Sequence, residues 1–297
     1  MPDITYLTVR HQLNAFAADM YEIGLLDRSK TSEDDFKLQM ICRDFNKSQV
    51  LNSISWFKHK NSLHQDIFIR PKGSVGLIFF DDVTQKTLQK MNLDGCEPAI
   101  VIESSPYNFH GWVRVSNKPI DPKLATQCAK VIANKYKTDQ NSADHRHFGR
   151  LAGFTNVKPK YVGANGLYPF VKLSSRNGKL ATNHKAILFS AQKRLDIINL
   201  NANNVSFDQD NTNQEEALIL AEVRYTDVIH YYANHVDYDL NYNAVDWQVA
   251  KYLAEKGYSI PVITECIIQF SPNLSARKGT GRELSYIDRT LLKLFAL

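Results

Sequence analysis

The chain has 297 residues, of which 43% are apolar, 23% charged and 11% aromatic, and its formal net charge is +5. These values are typical of a folded globular protein with one large or two moderate domains, and they exclude a disordered or fibrous chain. No N-terminal signal segment and no run of about 18 apolar residues occurs, so we expect a cytoplasmic protein with no membrane partner. The four cysteines form no Cys-x-x-Cys pair, which argues against a zinc ribbon and a disulfide framework.

The predicted elements of the first 175 residues alternate between helix and strand. In chain order, the patterns predict a helix over 6–26, a strand over 36–42, a helix over 50–57, strands over 66–70 and 75–80, a helix over 84–91, strands over 99–102 and 109–115, a helix over 122–137 and a strand near 170–173. The turn Ser104-Ser-Pro-Tyr-Asn108 predicts a hairpin between the two strands that flank it. This order predicts an α+β domain with a largely antiparallel sheet.

The remainder of the chain has only helical patterns. A long helix is predicted over 182–200, and the asparagine-rich stretch 201–213 predicts a linker or loop. Further helices are predicted over 215–235, 245–256, 261–270 and 283–295. We therefore predict two domains, a mixed domain over 1–205 and a small all-helical bundle over 206–297.

The charges are distributed unevenly along the chain. Residues 1–211 contain 28 basic and 20 acidic side chains, whereas residues 212–297 contain 8 and 11. From His145 to Arg194 there are ten Lys or Arg residues and no Asp or Glu. A solvated basic face explains the positive charge but not the absence of acids, so the segment predicts a phosphate-binding surface.

Two acidic residues, Asp81 and Asp82, follow the apolar strand 75–80. Carboxylates at a sheet edge are a common ligand set for Mg²⁺ or Mn²⁺ in phosphoryl transfer. The alternative is that the pair only begins a turn and caps the next helix. Because adjacent strand residues point to opposite faces, both can bind metal only if the strand ends or bulges there.

Other polar residues have both a functional and a structural explanation. His110, on a predicted strand beside Trp112, could contact a triphosphate or be a half-exposed polar position. Arg150 and Lys158 are eight residues apart across a glycine-containing turn, so they could flank one phosphate chain. The basic loop 276–282, with Arg277 and Lys278, could contact a nucleic-acid backbone or be an exposed inter-helix loop.

Several ordered stretches resemble a known enzyme family. Asp81-Asp82, Asn108-Phe-His110, Asp139 and the run Arg150 to Lys158 resemble the three motifs of archaeo-eukaryotic-type primases. A closer similarity is to RepB-type primases of mobilisable broad-host-range plasmids. It is carried by Ile69-Arg-Pro71, Gly95-Cys-Glu-Pro-Ala99, Glu103-Ser-Ser-Pro106 and Ser142 to Lys158. Residues 246–250, 271–278 and 286–290 resemble that family's helical bundle.

The resemblance implies a role for each matching residue. The metal ligands and catalytic residues would be Asp81, Asp82 and Asp139, with Asp144 as the alternative third carboxylate and Mg²⁺ or Mn²⁺ as the cofactor. Nucleotide-binding residues would be His110, Arg146, Arg150, Asn156 and Lys158. Residues of the basic surface and the basic loop would bind DNA, namely Lys160, Lys172, Arg176, Lys179, Arg277 and Lys278.

The resemblance further implies a plasmid-replication primase that makes a short primer on single-stranded DNA by two-metal nucleotidyl transfer. Its partners would be a single-stranded template with an initiation site such as a hairpin, nucleoside triphosphates and replication proteins such as a helicase. One alternative is a relaxase or rolling-circle nicking protein that uses His145, His147 and a tyrosine such as Tyr231. Another alternative is a non-catalytic origin-binding protein.

Overall fold

The computed structural model describes residues 3–28, 40–73, 75–202, 214–233 and 241–295. The chain divides into two compact units, Met1–Lys193 and Arg194–Leu297. The predicted domain boundary at 205/206 and most of the predicted linker lie outside the described residues. Across these ranges, no helix has both the length and the apolar character that a membrane crossing requires.

The first unit mixes helices and strands as the sequence predicts. Its elements are α1 (Ile4–Phe16), β1 (Met20–Asp27), β2 (Met40–Asn46), α2 (Lys47–Asn52), α3 (Ile54–Ser62), β3 (Gln65–Pro71), β4 (Leu77–Val83), α4 (Gln85–Leu93), β5 (Ile100–Ser105), β6 (Asn108–Arg114), α5 (Pro122–Tyr136), β7 (Gly149–Arg150), β8 (Lys172–Ser175) and α6 (His184–Ala202), which continues into the second unit. The strands form two four-stranded sheets, ordered β2-β1-β3-β7 and β4-β6-β5-β8. All of these strand pairs are antiparallel, so the predicted α+β class is confirmed.

The prediction of one helix over 6–26 is wrong in its second half. The helix ends at Ala17, which has a φ of +48° and donates its backbone N–H to the Leu13 carbonyl. Residues 20–27 instead form β1, which is paired on both edges with β2 and β3. The apolar residues of this stretch fit both the helical spacing and the alternation of a strand, and pairing in the sheet decides in favour of the strand.

The prediction of one helix over 50–57 is also inaccurate, because two short helices, α2 and α3, meet at Ser53. Of the strand predicted over 36–42, residues 36–39 lie outside the described part of the chain, and β2 begins at Met40.

The second sheet separates two hydrophobic cores. On one face, Phe79 and Trp112 belong to a core that also contains β1, β3 and α1 side chains. On the other face, Phe80 and Val113 belong to a core formed with α4, α5 and the start of α6. Because side chains alternate between the faces of a strand, β4 and β6 are apolar on both sides until their polar ends. The buried sheet therefore fixes the position of Asp81 and Asp82 near the end of β4.

The second unit is helical, as predicted. Its further helices are α7 (Gln214–Ala233), α8 (Tyr242–Glu255), α9 (Ile260–Phe270), α10 (Leu274–Lys278) and α11 (Glu283–Phe295). Asp246 is fully buried among them and accepts hydrogen bonds from Tyr225 Oη at 2.8 Å, Tyr286 Oη at 2.9 Å and Arg277 Nη2 at 3.0 Å. This one carboxylate thus connects α7, α8, α10 and α11.

Candidate active site

A bulge at the end of β4 exposes the acidic pair. Phe80 pairs with Gly111 and Val83 pairs with Phe109, so the ladder is interrupted at Asp81 and Asp82. Asp82 has a φ of +55°, and its backbone N–H donates to Asp81 Oδ1 at 2.8 Å. The bulge removes the strand alternation that would send the two carboxylates to opposite faces. Both acids line one cleft, which meets the condition that the sequence sets for a shared site.

Two further residues adjoin the pair. Asn108, the first residue of β6, donates from Nδ2 to Asp82 Oδ1 at 3.0 Å. Asp139 follows α5, and its backbone N–H donates to the Asp81 carbonyl at 3.2 Å. Burial, with the Asp82 and Asp139 charges, raises the pKa of Asp81 to about 6. The neighbouring carboxylates therefore disfavour the ionised form of Asp81 unless a cation balances the negative charges.

The donor set suits a hard divalent cation. Carboxylate and amide oxygens are the ligands that Mg²⁺ and Mn²⁺ prefer. The buried Asn108 Oδ1 has no hydrogen-bond partner in the described part of the chain, so an oxygen beside Asp82 is left unsatisfied. As they stand, no three Asp, Glu, His or Cys side chains of the described residues converge closely enough to hold a metal. The unbalanced charge and the unsatisfied oxygen fit a metal, with Asp81 and Asp82 as its nearest carboxylates.

One wall of the cleft is basic. It includes Arg28 at the end of β1, Arg150 on β7 and Lys158 in the following loop. The predicted pair Arg150 and Lys158 is thus brought together in the same cleft as the two acids. Burial, with the Arg150 and Arg28 charges, lowers the pKa of Lys158 from its ordinary value. Even with the buried carboxylate of Asp66 as a counter-charge, these three cations leave this wall net positive, which suits a polyanion.

One buried acid, Asp66 on β3, organises this wall. Its side chain is 0% exposed and accepts hydrogen bonds from both Nη atoms of Arg150. It also accepts from Arg28 Nε at 2.8 Å and from the Val157 backbone N–H at 3.0 Å. Burial opposes ionisation, but these donors hold the pKa of Asp66 below its ordinary value.

His110 and Asn156 are buried beneath the cleft. His110 is 2% exposed, and its Nε2 accepts a hydrogen bond from the Arg150 backbone N–H at 3.0 Å. Burial, with the Arg150 charge, lowers the pKa of His110 to about 3, so the ring is neutral. Asn156 donates from Nδ2 to the Ser104 carbonyl at 2.7 Å and accepts from the Lys158 N–H at 3.2 Å. Through these hydrogen bonds, His110 and Asn156 position the backbone at Arg150 and Lys158 respectively.

The other acidic and basic residues of the motif region lie outside the cleft lining. Arg146 is exposed, and its carbonyl accepts a hydrogen bond from Arg70. Asp144 accepts from the Arg146 N–H at 2.6 Å and lies 3.9 Å from His147. His147 stacks on Phe79, whereas His145 bonds to Thr126 at 3.1 Å. The two histidines of the nicking-protein alternative line one small pocket, but their hydrogen-bond and stacking partners differ.

The predicted DNA-binding residues fall into two groups. In the first unit, the four side chains are exposed, and they are Lys160, Lys172, Arg176 and Lys179. In the second unit, Arg277 is engaged with Asp246, Ser271 and Asn243, and Lys278 lies 3.8 Å from the centre of the Tyr286 ring. Arg277 and Lys278 thus contact other residues of the helical unit.

The sequence alone does not predict a role for Arg28, Asp66 or Tyr161, although Arg28 and Tyr161 line the cleft. It also does not predict the contact of Asn108 with Asp82. Asp66 and Arg28 are respectively 84 and 122 positions away from Arg150, which leaves no local spacing signal. The usable signal is the acid itself, because Asp66 directly precedes the apolar run Ile67-Phe-Ile69 of β3, and a carboxylate buried beside such a run requires a charged partner.

Comparison with known proteins places both parts of the chain in one family. Residues 17–197 match the RepB DNA-primase N-terminal domain, and residues 240–293 match the RepB DNA-primase C-terminal helical domain. A protein named "Mobilization protein A" of Escherichia coli is 32% identical over 99% of this chain and 41% of its own length. A "DNA primase" of Acidithiobacillus ferrooxidans is 27% identical over 72% of this chain and 62% of its own length. The chain therefore spans less than two thirds of either relative.

Two solved structures are similar to this one. The catalytic domain of primase RepB′, crystallised in complex with initiator DNA, has a TM-score of 0.60 and 34% identity and covers 66% of this chain and 98% of its own. Primase RepB′ has a TM-score of 0.59 and 29% identity over 99% of this chain and 95% of its own. The resemblance found in the motifs is thereby confirmed, and the chain belongs to the RepB DNA-primase family.

Proposed function

We propose that the chain is a DNA primase that synthesises a short primer on single-stranded DNA during plasmid replication. The observation that carries this proposal is a cleft lined by two carboxylates, Asp81 and Asp82, together with three cations, Arg28, Arg150 and Lys158. Support comes from membership of the RepB DNA-primase family and from the similar catalytic domain that was crystallised with initiator DNA. Replication proteins such as a helicase remain predicted partners.

The two walls have complementary tasks in nucleotidyl transfer. Arg150 and Lys158 would bind the triphosphate of the incoming nucleotide, with Arg28 beside them, because guanidinium and ammonium groups match phosphate oxygens. Asp81 and Asp82 would hold Mg²⁺ or Mn²⁺, with Asp139 as the predicted third carboxylate. When bound, such a cation would neutralise phosphate charge and acidify the primer 3′-hydroxyl. The acidic and basic side chains of the cleft would bring the primer 3′-hydroxyl close to the α-phosphorus of the nucleotide.

Primer synthesis tests the proposal directly. Full-length protein is given an unstructured or hairpin-containing single-stranded template, Mg²⁺ or Mn²⁺, and labelled ribo- or deoxynucleoside triphosphates. We expect labelled primer from the wild type and a loss of at least about a hundredfold in Asp81→Asn plus Asp82→Asn, because the cation ligands are removed. Asp44→Asn, which removes an exposed carboxylate on β2, is the matched control and should retain activity.

Circular dichroism of each variant establishes that the fold is retained. Undiminished product in the double variant would contradict the assignment of the acids, and an inactive wild type that binds DNA would favour the origin-binding alternative.

A further inference from the structure

We propose that Tyr107 is a nucleobase-stacking residue at the rim of the cleft. The inference rests on the proposed function, since it names a contact of the same site with its nucleic-acid or nucleotide substrate. It is drawn from the exposure of the ring, the conformation of its backbone and the residues on either side.

The Tyr107 ring contributes little to the stability of the fold. Ser105 and Asn108 pair as the last residues of β5 and the first of β6, so Pro106 and Tyr107 form the two-residue tip of the hairpin. Tyr107 is 86% exposed. A large aromatic side chain at such a position buries almost no apolar surface, and folding alone does not explain its presence.

The backbone of Tyr107 is in an unfavourable conformation for its residue type. Its φ is +64°, and it follows a proline, so it occupies the turn position that glycine or asparagine normally fills. A tyrosine there costs stability on the order of 1 kcal/mol relative to glycine. Strain of this kind, at a side chain that is too exposed to offset it by burial, is characteristic of functional positions.

The turn is anchored to the acidic pair. The Tyr107 backbone N–H donates to Glu103 Oε1 at 3.3 Å, and Glu103 Oε2 accepts from Lys172 Nζ at 3.2 Å. The next residue, Asn108, donates to Asp82 at 3.0 Å. The ring is therefore attached one residue away from a group in contact with the candidate metal ligands, on a hairpin whose strands are paired.

The surroundings define the chemistry of the ligand. A hydrogen bond with Ser105, two residues before Tyr107, lowers the pKa of the Tyr161 hydroxyl. Lys160 Nζ lies 4.8 Å from the centre of the Tyr161 ring, and Lys158 lines the cleft with it. Exposed aromatic rings interleaved with lysines bind single-stranded nucleic acid, because rings stack on bases and cations contact phosphates. The ligand is thus a nucleobase, either of the template strand or of the incoming nucleotide.

Two binding measurements on the full chain distinguish these two sources. The first titrates protein into a fluorescein-labelled oligothymidylate in EDTA without nucleotide, and reads anisotropy. The second titrates a fluorescent deoxynucleoside triphosphate with Mg²⁺ and without template. Neither requires catalysis, so an inactive wild type would overturn the proposed function without deciding this inference.

The variants separate the ring from the turn. Tyr107→Asn removes the ring and places a favourable residue at positive φ, whereas Tyr107→Phe retains the ring. Phe189→Gln, at a 74% exposed aromatic on α6 outside the cleft lining, is the control. We expect Tyr107→Asn to weaken binding about five- to a hundredfold in one of the two measurements, with an unchanged or higher Tm. Tyr107→Phe and Phe189→Gln should bind as the wild type does.

If Tyr107→Asn loses affinity for the oligonucleotide, the stacked base belongs to the template. If it loses affinity for the nucleotide, the stacked base belongs to the incoming nucleotide. Wild-type affinity of Tyr107→Asn in both measurements would overturn the inference. An equal loss in Tyr107→Phe or in Phe189→Gln would do the same, since the effect would then not come from stacking by this ring.

Discussion

At the scale of single residues, Asp66 has the most consequential environment in the first unit. Its two oxygens satisfy Arg150, Arg28 and the backbone that leads into Lys158. A buried ion pair contributes little net stability compared with apolar residues, but removal of one partner leaves the other charge buried and uncompensated. Asp66 therefore stabilises the folded state mainly by being the counter-charge of Arg150.

We expect Asp66→Asn to reduce the free energy of unfolding by about 3–5 kcal/mol, because the Arg150 guanidinium stays buried without an anion. Urea unfolding measures the change, in a Trp247→Phe background so that the fluorescence of Trp56 and Trp112 reports on the first unit. Asp44→Asn, at an exposed ion pair with Lys72, should change stability by less than about 1 kcal/mol. Equal effects of the two substitutions would show that Asp66 is not the counter-charge described.

The wild type and Asp66→Asn also test how the stabilisation by Asp66 depends on pH. Because the folded-state pKa of Asp66 is below its ordinary value, its ionisation stabilises the fold at neutral pH. That contribution is lost as pH falls below about 4, through the folded-state pKa. The stability difference between wild type and Asp66→Asn should therefore be constant from pH 7 to pH 5 and shrink below pH 4. A difference that stays unchanged down to pH 3 would contradict the assignment.

At the scale of elements, β7 brings the basic wall against the buried second sheet. Gly149 has no side chain, and a Cβ there would lie 2.3 Å from Cη2 and 2.6 Å from Cζ2 of Trp112. Trp112 is fully buried and pairs with Phe79 within the sheet. This close approach allows Arg150, the next residue, to meet both His110 and Asp66.

We expect Gly149→Ala to destabilise the first unit by about 1–3 kcal/mol, because Trp112 cannot move within the packed core. Thermal melting measures the loss. In Gly163→Ala, the nearest atom to the new Cβ is the flexible side-chain oxygen of Asn165, at 2.9 Å, so the Tm should change little. A Gly149→Ala protein as stable as the control would mean that β7 does not approach the sheet so closely.

Elements with strong local signals were predictable, and those that depend on distant partners were not. The hairpin of β5 and β6 has a Pro-containing turn between apolar strands, and its bounds agree closely with the prediction. In contrast, the local pattern of β1 predicts helix, because only pairing with β2 and β3 identifies this segment as a strand. The same division applies to the site: Asp81, Asp82 and Arg150 belong to recognisable motifs, whereas the role of Asp66 depends on contacts between strands.

At the scale of the whole molecule, the chain consists of two units with different charge and architecture. The helical unit has its own core and its own buried ionic network, centred on Asp246. Units with separate cores can lose structure separately, since local unfolding follows cooperative groups of contacts. A substitution at Asp246 therefore tests the independence of the two units within the intact chain.

We expect Asp246→Ala to increase amide hydrogen exchange in α7, α8, α10 and α11 and to leave the two sheets protected. The physical reason is that Arg277, the buried Tyr225 hydroxyl and the partly buried Tyr286 hydroxyl lose their acceptor. Hydrogen-exchange mass spectrometry of the full chain measures both regions at once. Asp288→Asn, on the exposed face of α11, should leave both exchange patterns unchanged. Equal loss of protection in the sheets would show that the units unfold as one.

The hydrogen bond from the Asp139 backbone to the Asp81 carbonyl has a kinetic consequence. It fixes the main chain of Asp139, the predicted third carboxylate, beside the pair, while the Asp139 side chain caps the turn that follows by accepting from the Asn141 N–H at 3.0 Å. If Asp139 Oδ1 turned towards a cation, that one capping bond would be lost, at a cost of about 1 kcal/mol. Side-chain rotations take picoseconds to nanoseconds, whereas domain closure takes microseconds to milliseconds. Completion of the acidic wall would therefore be fast compared with any movement of the sheets that carry it.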